Sequence, residues 1–129
     1  MLFMHKLLPL VSILGALTIV LGAFGAHALQ ELLSLEQLNS FETAVRYQMY
    51  HIIVMFIILS TSIFSKKQQQ TLVLVFVSGI LLFSGSIYAI SFGINPKSIW
   101  FLTPLGGLFF IVGWLLLAYF SNKKLKKYS

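Results

Sequence analysis

The stretch TLVLVFVSGILLFSGSIYAISFG, residues 71–93, decides the fold class because it contains no charged residue. An α-helix needs about 20 apolar residues to cross the ~30 Å hydrocarbon core of a bilayer, and this stretch has that length. Backbone inside lipid must satisfy its own hydrogen bonds, and the stretch is continuously apolar rather than alternating. It therefore predicts a membrane-spanning helix and not a strand of a β-barrel.

Three further apolar stretches repeat this pattern along the chain. They lie at about residues 7–29, 43–64 and 99–120, and each is near the length of one membrane crossing. Together with residues 71–93 they predict an all-α fold, an integral membrane four-helix bundle. We expect a single membrane domain over residues 1–129 that ends in a basic tail at 121–129.

The low charge of the chain limits the class of protein. Its 129 residues are 58% hydrophobic and 9% charged, whereas a soluble domain has about 25% charged residues. So little charge does not cover a water-facing surface, which excludes a soluble enzyme, a disordered chain and a nucleic-acid-binding domain. The absence of cysteine excludes disulfides, thiolate metal sites and cysteine nucleophiles.

The first apolar stretch also has features of a signal peptide. Lys6 precedes it, and Ala26-His27-Ala28 fits a cleavage pattern of small residues. However, the apolar run is longer than the ~7–15 residues usual in a signal peptide. We therefore expect this stretch to be retained as the first helix.

The basic residues predict how the chain is oriented in the membrane. One side carries Lys6, Lys66, Lys67 and the lysines of the tail, whereas the other side carries only Arg46 and Lys97. Cytoplasmic loops of membrane proteins carry an excess of lysine and arginine. Both termini are therefore expected in the cytoplasm.

The connection before the second helix has its own local signal. Ser34 followed by Gln37 has the spacing of a capping box, which marks the first turn of a helix. The apolar residues that follow at helical spacing are Leu38, Phe41 and Val45. These positions predict a short amphipathic lead from about residue 35, lying in the outer membrane interface ahead of the second helix.

Small residues recur at helical steps in three of the stretches. Such residues let helix backbones approach closely in lipid. They serve contacts within one bundle or contacts between copies, and packing within the bundle is the simpler interpretation. The predicted packing residues are Gly15, Gly22, Gly25, Ala26, Gly85, Ala89, Gly106, Gly107 and Gly113, and Thr18 lies in the same series on the first helix.

Polar residues at membrane depth are the candidate functional residues. The expected topology places ten of them in the outer half of the membrane, as a possible cluster: His27, Glu42, Arg46, Tyr47, Gln48, His51, Ser84, Ser86, Tyr88 and Thr103. Such a cluster has three interpretations. Its residues form interhelical hydrogen bonds that fix the bundle, they relay protons, or they ligate haem or a metal. Two histidines without fixed spacing do not define a metal set, so no metal or cofactor is expected.

Each apolar stretch contributes one motif: GAFGAHAL (22–29), FETAVRYQMYH (41–51), LFSGSIY (82–88) and TPLGGLFFIVGW (103–114). These four motifs resemble the signatures of the transmembrane protein 256-like family, whose members are small membrane proteins of unknown function. The resemblance covers nearly the whole chain, and the motifs occur in the same order as in the family. It implies a four-helix integral membrane protein, which in bacteria lies in the plasma membrane. It does not imply any enzymatic reaction. The residues that the motifs single out include Pro104 and Trp114 besides most of the candidates above.

Two functional expectations follow from these patterns. The first is a non-enzymatic structural or accessory protein of the plasma membrane that acts through helix–helix association, as a homo-oligomer or in a larger membrane complex. The alternative is a channel or transporter for protons or a small solute that uses His27, Tyr47, Gln48 and His51. A redox subunit linked to haem or a quinone is a third and weaker interpretation. Neither a nucleotide-binding loop nor a hydrolase motif is present, so no enzymatic activity is expected.

Overall fold

Four long helices and one short helix form the part of the chain between residues 4 and 128. The computed structural model describes residues 4–128, with side chains for residues 7–123. The helices are α1 Met4–Ala26, α2 Leu35–Ser60, α3 Lys66–Ser91, α4 Pro96–Ile99 and α5 Leu102–Tyr128. Within the described residues no strand occurs, and α1, α2, α3 and α5 are each long and apolar enough to cross a membrane. The predicted all-α membrane fold is confirmed.

Two capping boxes fix where the central helices begin. The N–H of Ser34 donates to Oε1 of Gln37 over 2.9 Å, and the N–H of Gln37 donates back to Oγ of Ser34 over 3.2 Å. Ser65 and Gln68 repeat this arrangement at the start of α3. Each box satisfies backbone donors that the first helical turn leaves unpaired. The predicted amphipathic lead is therefore the first turns of α2 itself, and not a separate element.

The helix ends differ from the predicted bounds for local reasons. The polar segment after Ser65 joins α3, because its capping box and its helix-forming lysine and glutamine residues favour helix. Gly93 ends this region at a φ of +105°, a backbone conformation that other residues rarely adopt. The predicted tail at 121–129 is helical to Tyr128, because no glycine or proline interrupts it. Residue 129 lies outside the described residues.

Prolines lie in the first turns of α4 and α5. Asn95 caps α4 by accepting the N–H of Lys97 over 3.0 Å, and Pro96 is the first residue of that helix. Pro104 lies in the first turn of α5. Neither position needs a backbone donor, so both prolines are tolerated there.

The long helices pack in a row rather than as a closed ring. α1 packs on α2, α2 on α3, and α3 on α5, so that α2 and α3 are central and α1 and α5 flank them. Apolar side chains from all four form the core: Leu7, Val11, Ile52, Met55, Ile58, Leu72, Val73, Phe76, Ile80 and Phe110. Large apolar side chains also cover the outside, as expected for a surface that faces lipid.

Glycines allow the closest approaches between neighbouring helices. A Cβ at Gly106 would overlap the backbone of Phe83 on α3, and a Cβ at Gly113 would lie 2.5 Å from the ring of Phe76. On α1, Gly25 lies against Phe41 of α2. These contacts are all within the chain, so the glycines hold the bundle together.

The other predicted packing residues have looser surroundings. Ideal Cβ atoms on Gly15 and Gly22 would make ordinary contacts with α2, at 3.6 and 3.5 Å. The nearest atom to such a Cβ on Gly107 is 4.0 Å away, and at Gly85 it is a carbonyl of the same helix. Ala26 is exposed and Ala89 is half-buried. Gly79, which was not among the predicted residues, packs tightly on Phe110.

Candidate functional site

A chain of hydrogen bonds through Gln48 joins three helices. Gln48 lies in the middle of α2 and is 2% exposed. Its Nε2 donates to Oγ1 of Thr18 on α1 over 2.8 Å, and its Oε1 accepts the hydroxyl of Tyr88 on α3 over 2.9 Å. The Thr18 hydroxyl in turn donates to the carbonyl of Leu14 over 2.7 Å. The side-chain amide therefore bridges α1 and α3 at a depth where water does not compete for it.

Serines of α3 make two further bridges. Ser84 is fully buried and donates to the carbonyl of Ala44 on α2 over 2.8 Å. Ser86 donates to the carbonyl of Phe83 over 2.9 Å, and its oxygen lies 2.6 Å from the hydroxyl oxygen of Thr103 on α5. Because a hydroxyl donates only one hydrogen, Thr103 is the donor of that second contact. All four long helices are thus connected by polar side chains.

His51 is held as a neutral imidazole by its two neighbours. Its Nδ1 lies 2.6 Å from the carbonyl oxygen of Tyr47, which only accepts, so Nδ1 carries the hydrogen. Its Nε2 is then the acceptor for the indole N–H of Trp114, 3.3 Å away. The ring also stacks on Phe110, with centroids 3.7 Å apart and planes 4° apart. These contacts define both the tautomer and the orientation of the ring.

An aromatic cleft lies beside His51, between α2, α3 and α5. Its volume is about 640 Å³. Tyr47 stacks on Phe83 along one wall, with centroids 5.0 Å apart, and lies 6.0 Å from the ring of Tyr50. The lining residues are Tyr47, Tyr50, His51, Phe83, Pro104, Gly107, Leu108, Phe110, Ile111 and Trp114. We refer to this space as the aromatic cleft.

A second cleft, of about 800 Å³, lies at the amino-terminal end of α2. It is bordered by the carboxyl-terminal end of α3 and by Thr103 of α5. The α2 residues along it are Leu35, Glu36, Gln37, Asn39, Ser40 and Thr43. This end of α2 is the predicted amphipathic lead, so polar side chains border the cleft.

The predicted polar cluster is brought together only in part. Seven of its ten residues take part in the interhelical hydrogen bonds or line the aromatic cleft: Tyr47, Gln48, His51, Ser84, Ser86, Tyr88 and Thr103. His27 is exposed in the turn after α1 and lines neither cleft. Glu42 and Arg46 form a half-exposed ion pair at 3.6 Å on the outside of α2, and Arg46 also donates to Thr43. The four residues of the transport alternative therefore do not share one cavity.

Two participants were not among the predicted polar residues. Thr18 appears in the sequence as one of a series of small residues, and only its position opposite Gln48 reveals its second role. Gln69 lies between the apolar stretches 43–64 and 71–93, outside the predicted membrane helices, yet it is 2% exposed. Its Nε2 donates to the carbonyls of Ile58 and Thr61, which closes the carboxyl-terminal end of α2.

The chemistry available in these sites is limited by their hydrogen bonds. Among the described residues, Oε1 of Gln69 is the one buried side-chain polar atom without a partner. In the same part of the chain, no group of three or more histidine, aspartate or glutamate residues is placed to hold a metal ion. The buried side chains of Gln48, Ser84 and His51 therefore connect helices to one another.

Comparison with known proteins identifies the family. A family described as "Protein of unknown function (DUF423)" matches residues 21–107. The chain belongs to this family. A UPF0382 membrane protein of Haemophilus influenzae is 38% identical over 119 residues, which cover 92% of this chain and 95% of the relative. The motifs in the four apolar stretches indicated the same family.

Other members of the UPF0382 membrane proteins resemble the chain over similar lengths. YwdK of Bacillus subtilis is 37% identical over 120 residues, covering 88% of this chain and 96% of that protein. YgdD of Escherichia coli, named an inner membrane protein, is 32% identical over 111 residues, covering 82% of this chain and 81% of that protein. No solved structure matches the chain. The chain is thus a small multi-pass membrane protein that belongs to a family of unknown function.

Proposed function

We propose that the protein is a non-enzymatic structural or accessory protein of the plasma membrane that acts through helix–helix association. The observation that carries this proposal is the use of the buried polar groups. Gln48, Ser84 and His51 each bond to a neighbouring helix, and none of them is left free to act on a substrate. Such bonds favour a rigid scaffold over a catalyst.

The surfaces available for association are the outward faces of the flanking helices. Three glycines of α1 pack against α2, and Gly106 and Gly113 of α5 pack against α3, so these glycines do not supply the association surfaces. On α5, Leu108, Ile111 and Leu115 are each more than half exposed and lie on one side of the helix. We propose that this face contacts a second copy of the chain or another membrane protein.

The proposed location and orientation agree with the charges and with a relative. The relative from Escherichia coli is named an inner membrane protein, which supports the plasma membrane. An even number of crossings leaves both termini on one side, and Lys66 and Lys67 lie on that side too. The positive-inside rule then supports a cytoplasmic location for both termini.

Cross-linking in native membranes tests the proposed association. Because the chain has no cysteine, a single cysteine at Leu108, Ile111 or Leu115 reports contacts of the outward α5 face. We expect at least one of these variants to give a cross-linked species, as a homodimer or with a partner. The matched control is Val73→Cys, a fully buried position that is not available for cross-linking.

Native mass spectrometry from membranes provides the decisive second measurement. The proposal predicts a complex of higher mass than the 14.5 kDa chain. A strictly monomeric protein that carries no partner, together with no cross-link from the outward α5 face, would contradict it. A reaction catalysed by the purified protein would contradict the non-enzymatic part.

A further inference from the structure

Two tyrosines that line the aromatic cleft have hydroxyl groups without partners among the described residues. Tyr47 and Tyr50 both line it, and within the described part of the chain neither hydroxyl makes a hydrogen bond, although their rings contact neighbouring aromatic side chains. The other polar side chains of the lining, His51 and Trp114, bond to each other. The two tyrosine hydroxyls are therefore the side-chain groups of the lining that remain able to donate a hydrogen bond to a ligand.

The depth of Tyr50 makes an unpartnered hydroxyl unfavourable. Tyr50 lies about 15 Å along α2 from Ser60, the residue at which the helix ends. The hydrocarbon core is ~30 Å thick, so this position is near its middle. A polar group there has no water to bond and is costly without a partner. A molecule that supplies an acceptor inside the cleft would remove this cost.

The walls of the cleft favour a flat ring. Tyr47 lies nearly face to face with Phe83, at 28°, and His51 lies flat on Phe110. Gly107 adds no side chain on the α5 side, where the nearest atom to an ideal Cβ is 4.0 Å away. Aromatic walls bind planar rings through stacked and edge contacts. The cleft volume of about 640 Å³ falls within the range of about 300–1,000 Å³ usual for small-molecule sites.

We propose that the aromatic cleft binds a membrane-soluble molecule with a planar, uncharged ring that carries carbonyl acceptors and an apolar tail, the chemistry of a membrane quinone. Tyr50, with Tyr47 beside it, donates to a ring carbonyl. The ring packs among the aromatic side chains, and the tail leaves along the lipid-facing opening. A charged ligand is disfavoured, because none of the described residues that line the cleft is charged. This inference does not require the proposed association, although Leu108 and Ile111 belong both to the cleft lining and to the proposed association face.

The two tryptophans of the chain provide an internal comparison. Trp114 lies in the middle of α5 and lines the cleft, whereas Trp100 is exposed just before α5 begins and does not line it. In nanodiscs, Trp100→Phe leaves Trp114 as the reporter, and Trp114→Phe leaves Trp100. The probe is a benzoquinone with a decyl tail, which quenches tryptophan fluorescence on contact. We expect the quenching of Trp114 to saturate as the quinone concentration rises, and the quenching of Trp100 to increase linearly with that concentration.

Two further variants, made in the Trp100→Phe background, separate specific binding from partition into the bilayer. Tyr50→Phe should weaken the saturable binding about fivefold, the size expected for one lost hydrogen bond. Gly107→Leu should abolish it by filling the cleft. Tyr119→Phe is the matched control, because Tyr119 is exposed outside the cleft, and it should leave binding unchanged. Tyr50→Phe removes only one hydroxyl, so this comparison stands if Gly107→Leu does not fold.

The same titrations can overturn the proposal. Linear quenching that is equal at the two tryptophans would show partition into the bilayer alone. Equal affinity of the Tyr50→Phe variant and its parent would exclude the proposed hydrogen bond. The first result would leave ordinary lipid chains as the occupant of the cleft, and the second would remove Tyr50 as the donor to the ring carbonyl.

Discussion

Trp114 on α5 donates its indole N–H to Nε2 of His51 on α2, across 3.3 Å. The contact connects two helices that are not consecutive in the chain, and it occurs beside the close packing of α5 on α3. Because Nδ1 of His51 already donates to Tyr47, a proton on Nε2 would place two donors face to face. The neutral imidazole is therefore the form that fits this site.

A double-mutant cycle measures what this contact contributes. His51→Ala and Trp114→Phe each remove one partner, and the double variant removes both. Interhelical hydrogen bonds in membranes average about 0.6 kcal/mol and reach about 1.7 kcal/mol, so we expect a coupling free energy in that range. Unfolding in a denaturing detergent supplies the four free energies.

His27→Ala is the control for the cycle. His27 is exposed in the turn after α1, so its removal should change the free energy of unfolding by less than about 0.5 kcal/mol. A coupling energy of zero between His51 and Trp114 would show that the contact adds no stability.

Gln48→Leu should destabilise the bundle. The substitution leaves the Tyr88 hydroxyl without an acceptor and removes the bridge to Thr18 on α1. A loss of about 1–2 kcal/mol is expected from the unpaired buried group. Thermal unfolding in detergent measures it, with Gln30→Leu in the exposed turn as the matched control. Equal melting temperatures for the two variants would contradict a structural role for Gln48.

Adjacent glycines of α5 should respond very differently to alanine. A Cβ at Gly106 would overlap the backbone of Phe83, which has little room to move, whereas at Gly107 the nearest atom is 4.0 Å away. We expect Gly106→Ala to cost at least about 1–3 kcal/mol through overpacking. Gly107→Ala should be neutral or slightly stabilising in a helix.

The yield of monodisperse protein and its melting temperature compare the two glycine variants directly. If Gly106→Ala were as stable as Gly107→Ala, α5 would not pack on α3 as described here.

The membrane crossings were predictable because each depends on one continuous stretch of the chain. Length and apolar composition are sufficient to identify such a helix. The start of α2 was equally predictable, because its capping box involves only Ser34 and Gln37, which are three residues apart. Helix ends were less accurate, because polar residues such as Lys66 and Gln68 continue a helix as readily as they end one.

The polar site was only partly predictable because it depends on which helices are neighbours. Gln48 and His51 were identified from their depth, but their partners Thr18 and Trp114 lie far along the chain. Sequence spacing contains no information on that pairing. His27 was grouped with them because the first helix was expected to reach residue 29, whereas α1 ends at Ala26 and leaves His27 in the following turn.

Accessibility of single cysteines in intact cells tests the central claim, four crossings with both termini in the cytoplasm. Cysteines at Gln30 and Lys97 should react from outside with a membrane-impermeant maleimide. Cysteines at Lys67 and Asn122 should react only after the membrane is permeabilised. Labelling of Asn122 from outside, or opposite behaviour of Gln30 and Lys97, would contradict the account.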